Sequence, residues 1–253
     1  MIGYVPGHSP LHRAHPYTPL AAASAVLLLA FSVSTPPAIS IVVVAAVALA
    51  LAGGAARAIV RPMLVLVLPT WLLLLVLHGV LGGDPHFALG PVNLSEPGVR
   101  RALVLGGRVT AIVIAFLTAL ATVSPPRLVE AMTAKGVPFG RIFLLVSTLT
   151  LVPRIRARAA QILDAQQCRG LRIGGSPAAR LRALVPLVLP LVLGALAEVD
   201  EQVLALDSRG ASSGARRTAL DPPPDLPAER ALRWTLAALV IAAYAAKFAG
   251  AGA

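Results

Sequence analysis

The chain has 253 residues, of which 57% are hydrophobic and only 13% charged, where an ordinary soluble domain has about 25% charged residues. This composition, with a mean hydropathy of +0.81, excludes a typical soluble fold. A net charge of +11 fits basic residues gathered beside membrane helices; no aromatic–basic interleaving or zinc-ligand cluster accompanies it, so nucleic-acid binding is set aside.

In chain order, the N-terminal stretch up to Leu20 has no basic segment leading directly into an apolar core, so no removable signal peptide is expected. Four apolar runs follow, at about Tyr17–Ser34, Ala38–Gly53, Pro62–Leu81 and Ala102–Val123. A spanning helix needs about 20 apolar residues. The third and fourth runs meet that length. The first two are short, and Thr35-Pro36-Pro37 between them reads as a tight, uncharged turn of a helical hairpin. A fifth run, about Trp234–Gly250, closes the chain.

Arg57 and Arg61 lie between the second and third runs, whereas the loop Gly82–Gly98 carries Asp84 and Glu96 and no Lys or Arg. The positive-inside rule therefore places the N-terminus in the cytoplasm. Arg100 and Arg101 are a local exception. Arg108, inside the fourth run, is read either as paired or as snorkelling to the nearby membrane edge.

The segment Pro125–Arg217 differs in kind, holding 13 of the 22 basic residues. Its apolar runs, Ile142–Val152 and the proline-interrupted Ala183–Ala197, read as parts of amphipathic helices that lie on a membrane surface or pack on partner helices. A competing reading counts one or both as additional spans. Counting one inverts the C-terminus; counting both turns the Cys168 region outward. A proline-rich spacer, Asp221–Pro227, precedes the fifth run. The domain boundaries are accordingly 1–124, 125–217 and 218–253.

Two long helices are expected in the middle segment. One starts near Pro138 in its first turn, is kinked at Pro153, and ends in Cys168-Arg169-Gly170. The other starts from an N-cap at Ser176 with Pro177 at N1, and ends in Ser208-Arg209-Gly210. Each therefore ends in a small residue, then Arg, then Gly. Glycine takes the left-handed cap position, and the guanidinium is left to project and grip carboxylates or carbonyls of a partner. One such terminus alone reads as plain capping. Two of them, 40 positions apart, read as matched plugs.

Other candidates carry less. His78 and His86 with Asp84 form an incomplete metal set, so a structural role is favoured. Glu198, Asp200 and Glu201 read as a solvated or ion-paired face against Arg154, Arg156 and Arg158. The single cysteine, Cys168, excludes an internal disulfide. No phosphate-binding GxxxxGK[ST] loop is present, so ATP, where it acts, is bound by another chain.

Three stretches together resemble the EcfT family, the transmembrane components of energy-coupling factor (ECF) importers, including the cobalt-type CbiQ proteins. Ser9-Pro10-Leu11-His12-Arg13 with Pro16 and Thr18 resembles the family's opening S-P-L-H-R-x-x-P-x-T. Pro125-Pro126, Leu128 to Met132 and Gly136-Val137-Pro138 resemble its middle stretch. Arg169-Gly170 and Ser208-Arg209-Gly210 resemble its paired Ala-Arg-Gly signatures. Cys168 and Ser208 stand where the family has Ala, and Ala14-His15 where it usually has Leu-Asp.

The resemblance implies an all-α polytopic membrane protein with about five transmembrane helices and a cytoplasmic module of amphipathic coupling helices. It implies a non-catalytic subunit with no cofactor of its own, ATP and Mg being held by two partner ABC ATPases. Cys168, Arg169 and Gly170, with Ser208, Arg209 and Gly210, would dock those ATPases. The apolar faces carrying Ile142, Leu145 and Leu149, and Leu184, Leu187 and Leu191, would hold a membrane-embedded substrate-binding (S) subunit. Vitamins and transition-metal ions are both substrates of the family. The rival reading is a self-contained secondary transporter or channel, which needs polar residues lining several spans; the spans here offer little beyond Arg108.

Overall fold

The computed structural model describes residues 7, 9–80, 87–89, 92–170, 177–210 and 223–251. They form an all-α protein with helices α1 (Pro10–Arg13), α2 (Tyr17–Ser32), α3 (Pro36–Ala52), α4 (Ala56–Leu74), α5 (Glu96–Thr122), α6 (Pro125–Ala134), α7 (Phe139–Cys168), α8 (Pro177–Ser208) and α9 (Pro227–Ala251). A π-helical turn, Leu75–Val80, prolongs α4. Two three-residue strands, β1 (Phe87–Leu89) and β2 (Val92–Leu94), pair antiparallel before α5. The chain divides into two compact units, one from residues 1–131 with 221–253 and one from 132–220.

Several boundaries differ from expectation. Pro36 and Pro37 do not form a turn; they open α3 after Thr35, because a first-turn residue has no intrahelical use for the N–H that proline lacks. Arg57 and Arg61 sit in α4 rather than in a loop, and Glu96 to Gly98 already belong to α5. Pro138 is the N-cap of α7, one position before the first turn, and α7 continues through Pro153. The expected N-cap Ser176, as well as Asp84, His86 and Asp221, lie outside the described residues.

The stretches Ala56–Gly79, Glu96–Thr122 and Pro227–Ala249 are long and apolar enough to cross a membrane. Helices α2 and α3 are apolar but have only 16 and 17 residues. At 1.5 Å per residue they rise about 25 Å, short of a hydrocarbon core of about 30 Å.

Helix α5 lies at the centre of the first unit, against α2, α3 and α4. Its buried face combines Val104, Ile114 and Leu117 with the small residues Ala102, Gly106, Gly107, Ala111, Ala115 and Ala121. A side chain at Gly106 would enter the Trp71 ring, and one at Gly107 would press on Ile39. Backbones that approach this closely gain dispersion contact, which supports helix packing where lipid is as apolar as the protein. Thr118 and Thr122 are buried on the same helix and return their hydroxyls to the carbonyls of Ile114 and Thr118, at 2.7 and 2.8 Å.

Two polar clamps bind the unit at its ends. At the C-terminus of α2, the Arg108 guanidinium donates to the carbonyls of Ala30 (2.8 Å) and Val33 (3.0 Å) and lies 5.3 Å from the Phe31 ring centroid. Lys247 of α9 donates to the carbonyl of Phe31 at 2.8 Å. Arg108 is thus paired, and its partners are the final carbonyls of a helix, where positive charge also meets the negative end of the helix dipole.

At the opposite end, Ser9 Oγ donates to the Gly53 carbonyl (2.8 Å) and lies 2.6 Å from His12 Nδ1. Arg127 of α6 donates to the carbonyls of His12 and Arg13. Glu229 of α9 accepts from the His15 amide and the Thr18 hydroxyl, both at 2.8 Å. Arg233 donates to Thr18 Oγ1 at 3.0 Å and to Asp225 at 2.6 Å, and Arg230 donates to Asp225 at 3.0 Å.

These pairings fix directions. Helices α2 and α9 run parallel, since Thr18 meets Glu229 and Arg233 at one end while Phe31 meets Lys247 at the other. Arg127 and the start of α9 both contact the N-terminal segment. Residues 132–220 therefore leave the first unit and return to it at the same end.

Replacing Arg108 with Ala strands two carbonyls in an apolar setting and is expected to cost about 1–3 kcal/mol. Thermal unfolding of the detergent-solubilised protein should show the loss, with Arg57→Ala, which has no partner among the described residues, near wild type. A second expectation concerns Asp225. Burial acts to raise its carboxyl pKa, but hydrogen bonds from Arg233 and Arg230 and the charges of Arg233 and His15 outweigh it and hold the group below its ordinary value. Its contribution to stability is present above the ordinary carboxylate range, about pH 4, and is lost as pH falls further. The stability gap between wild type and Asp225→Asn should be full at neutral pH and close in acid.

Candidate functional site

The second unit is built on α7 and α8, each long enough to reach well beyond the place where they touch. Arg158 donates to the Gly194 carbonyl at 3.2 Å, and Glu198 pairs with Arg154 at 2.9 Å and with Arg158 at 3.6 Å. Gln202 donates to the same carboxylate at 3.1 Å. Gly194 permits this approach, because a side chain there would collide with the Arg158 guanidinium. Arg156, Asp200 and Glu201, grouped with these from sequence, form no ion pair among the described residues.

The pairing runs 158 with 194 and 154 with 198, so the helices are antiparallel where they touch. A groove of about 710 Å³ continues the interface, with Phe143 and Ser147 of α7 facing Leu206 and Arg209 of α8. Arg209 therefore lies toward the start of α7, while Arg169 lies at its far end. Cys168 is ten residues beyond Arg158 and Ser208 fourteen beyond Gly194, in opposite senses. At 1.5 Å per residue the two tips stand at most about 36 Å apart.

The tips share one construction. Arg169 follows α7 as its C-cap, its amide bonded to the Ala165 and Gln166 carbonyls, and Gly170 donates to Gln167 at 2.9 Å. After α8, Arg209 donates to Leu206 at 3.2 Å and Gly210 to Asp207 at 2.9 Å. Gly170 and Gly210 have φ of 92° and 72°, a region that costs other residues about 1–2 kcal/mol. Cys168, Arg169, Gly170, Ser208, Arg209 and Gly210 are all exposed. Neither Arg169 nor Arg209 has a side-chain partner among the described residues.

The six apolar residues singled out on α7 and α8 are unequally open. Ile142 and Leu187 are buried by the chain itself, Leu145 and Leu191 are half-buried, and Leu149 is exposed. The side chain of Leu184 lies outside the described residues. Leu144, Leu151, Val188 and Leu189 on the same two helices are exposed as well.

Sequence reading missed the partners of the opening motif. His15 and Thr18 are buried, and the groups that satisfy this region, Glu229, Arg233 and Asp225, lie some 200 positions away. A buried polar run before an apolar helix signals that partners exist, but not which ones. His78 is half-buried with its Nδ1 unpartnered, and no group of three His, Cys, Asp or Glu that could hold a metal occurs among the described residues.

Comparison with known proteins agrees with this architecture. Residues 7–219 match the model of the CbiQ family, described as a cobalt transport protein. The chain is 29% identical over 232 residues to the energy-coupling factor transporter transmembrane protein EcfT of Brevibacillus brevis, covering 86% of each. It is 29% identical over 247 residues to the EcfT of Thermanaerovibrio acidaminovorans, covering 92% of this chain and 87% of that one. It is also 32% identical over 229 residues to a putative ABC transporter ATP-binding protein of Bifidobacterium longum. That match takes in 84% of this chain but only 29% of the longer relative. An all-α membrane architecture, two arginine-bearing helix ends and a family match over most of the sequence converge: the chain belongs to the CbiQ/EcfT family of membrane transport proteins.

Proposed function

We propose that this chain is the coupling subunit of an ECF-type importer, carrying ATP-driven motion from two ABC ATPases to a substrate-binding membrane subunit. The observation that carries this reading is the pair of exposed arginine tips facing opposite ways from one antiparallel crossing. A single ATPase would need one tip, whereas a pair of ATPases that close on ATP needs two, set apart. Each guanidinium offers five donors in a planar fork suited to carboxylates and carbonyls. The relative named as an ATP-binding protein, which contains a region similar to most of this chain, is consistent with such a partnership.

The end that carries Arg57, Arg61, Arg127 and the first residues of α9 is the cytoplasmic end, by the positive-inside rule. The N-terminus then lies in the cytoplasm and the chain in the cell membrane. ATP and Mg belong to the ATPases, and this chain performs no chemistry. The open apolar faces of α7 and α8 receive the substrate-binding subunit, whose cargo is a vitamin or a transition-metal ion. When the ATPases draw together, the tips follow, the crossing angle of α7 and α8 changes, and the apolar faces move with it. Helices of this length transmit such displacement as rigid elements.

Arg169→Ala and Arg209→Ala are each expected to weaken ATPase recovery with the membrane subunits. Removing one partner of a desolvated charge pair costs about 2–5 kcal/mol, so binding should fall roughly thirtyfold or more per tip, with membrane insertion unchanged. Normal complex recovery and normal uptake in the double variant would refute the reading. The lone thiol gives a second test. Cys168 should react with a membrane-impermeant maleimide in inside-out vesicles stripped of ATPases, and be protected when the ATPases are restored. Labelling from outside intact cells would place the tip on the wrong side.

A further inference from the structure

At the end of the first unit away from the N-terminal motif, a cavity of about 380 Å³ opens beside α5, lined by Ser34, Arg100, Arg101, Val104, Leu105 and Arg108. Positions 100, 101, 104, 105 and 108 fall on one helical face, so three guanidiniums share one side of α5 within about two and a half turns. Arg100 and Arg101 make no ion pair or hydrogen bond among the described residues. Glu96, four positions before Arg100, is not within ion-pair distance of either. Arg108 spends only two of its five N–H donors on the α2 carbonyls. The start of α5 adds the positive end of its dipole to the same place.

Positive charge with no ion-pair partner among the described residues at this end also runs against the charge distribution expected of a membrane helix bundle. A cation cluster with no carboxylate within ion-pair distance among the described residues is a ready site for an anion. The cavity has a charged mouth and an apolar floor of Val104 and Leu105, so it suits a molecule with an anionic group at one end and hydrocarbon at the other. Arg is the side chain best matched to phosphate, which it grips bidentately.

We propose that this cavity is a phosphate-binding site occupied by the headgroup of a membrane phospholipid. Arg100 and Arg101 hold the phosphate, Arg108 ties its position to the end of α2, and the acyl chains follow the apolar face of α5. The bound lipid neutralises a cluster that has no ion-pair partner among the described residues. This assignment is independent of which partners dock on α7 and α8.

The test is native mass spectrometry of the full chain in detergent, probed with dioleoyl phosphatidylglycerol and with dioleoylglycerol, which has the same tails and no phosphate. One phosphatidylglycerol should be retained and dioleoylglycerol should not. The double variant Arg100→Gln/Arg101→Gln should weaken retention by about a hundredfold, at about tenfold for each charge-assisted hydrogen bond removed. The pair Arg57→Gln/Arg61→Gln, of equal charge change elsewhere, should leave it unaltered. Equal retention of dioleoylglycerol overturns the phosphate site. Equal weakening in both double variants reduces it to a diffuse charge effect and overturns it also. Inorganic phosphate binding as tightly as the lipid identifies a free anion site and overturns the lipid assignment.

Discussion

A helix that ends inside an apolar layer leaves its last carbonyls without water, and each must find a donor or destabilise the fold. Helix α2 is apolar and has 16 residues, about 24 Å of rise against a hydrocarbon core of about 30 Å, so its last carbonyls meet this constraint. Arg108 and Lys247 meet it from two other helices. The same hydrogen bonds hold α5 and α9 against α2 and set the direction of each. With the polar knot at the other end, they make α9 parallel to α2, and from that follows the shared point of departure and return for residues 132–220. The position of these two basic residues and the direction of α5 and α9 beside α2 have one cause.

The second unit is arranged on a different principle. Its helices touch through Arg154, Arg158, Gly194 and Glu198 and extend far past that patch. Solvent-exposed pairs of this kind contribute little stability. What they define is where the helices meet and how they are oriented. Helices joined at one small patch can change their angle without unpacking a large core, whereas the first unit, stitched at both ends, cannot shear easily.

Much of this was readable in the residues. Five apolar helices, the two glycine-stopped helix ends and the family resemblance all follow from local patterns, and local patterns survive in sequence. The errors were also local: Pro36 and Pro37 read as a turn when they open α3, and Arg57 and Arg61 read as loop when they belong to α4. Pairings between distant positions were not legible. Nothing in the sequence connects Thr18 with Arg233, or Lys247 with the carbonyl of Phe31. Arg108 was recognised as a choice between pairing and snorkelling, but its partners are backbone carbonyls, which have no residue signature. The opposed directions of the Arg169 and Arg209 tips likewise required the register of α7 on α8.

The common point of exit and re-entry for residues 132–220 has a consequence for how such proteins diversify. A segment whose two ends are stapled beside each other can lengthen, shorten or exchange its tip chemistry without reversing the helix that comes after it. Drift in that insert therefore leaves the direction of α9 beside α2 untouched, and the insert's surface can change while the scaffold that carries it stays the same.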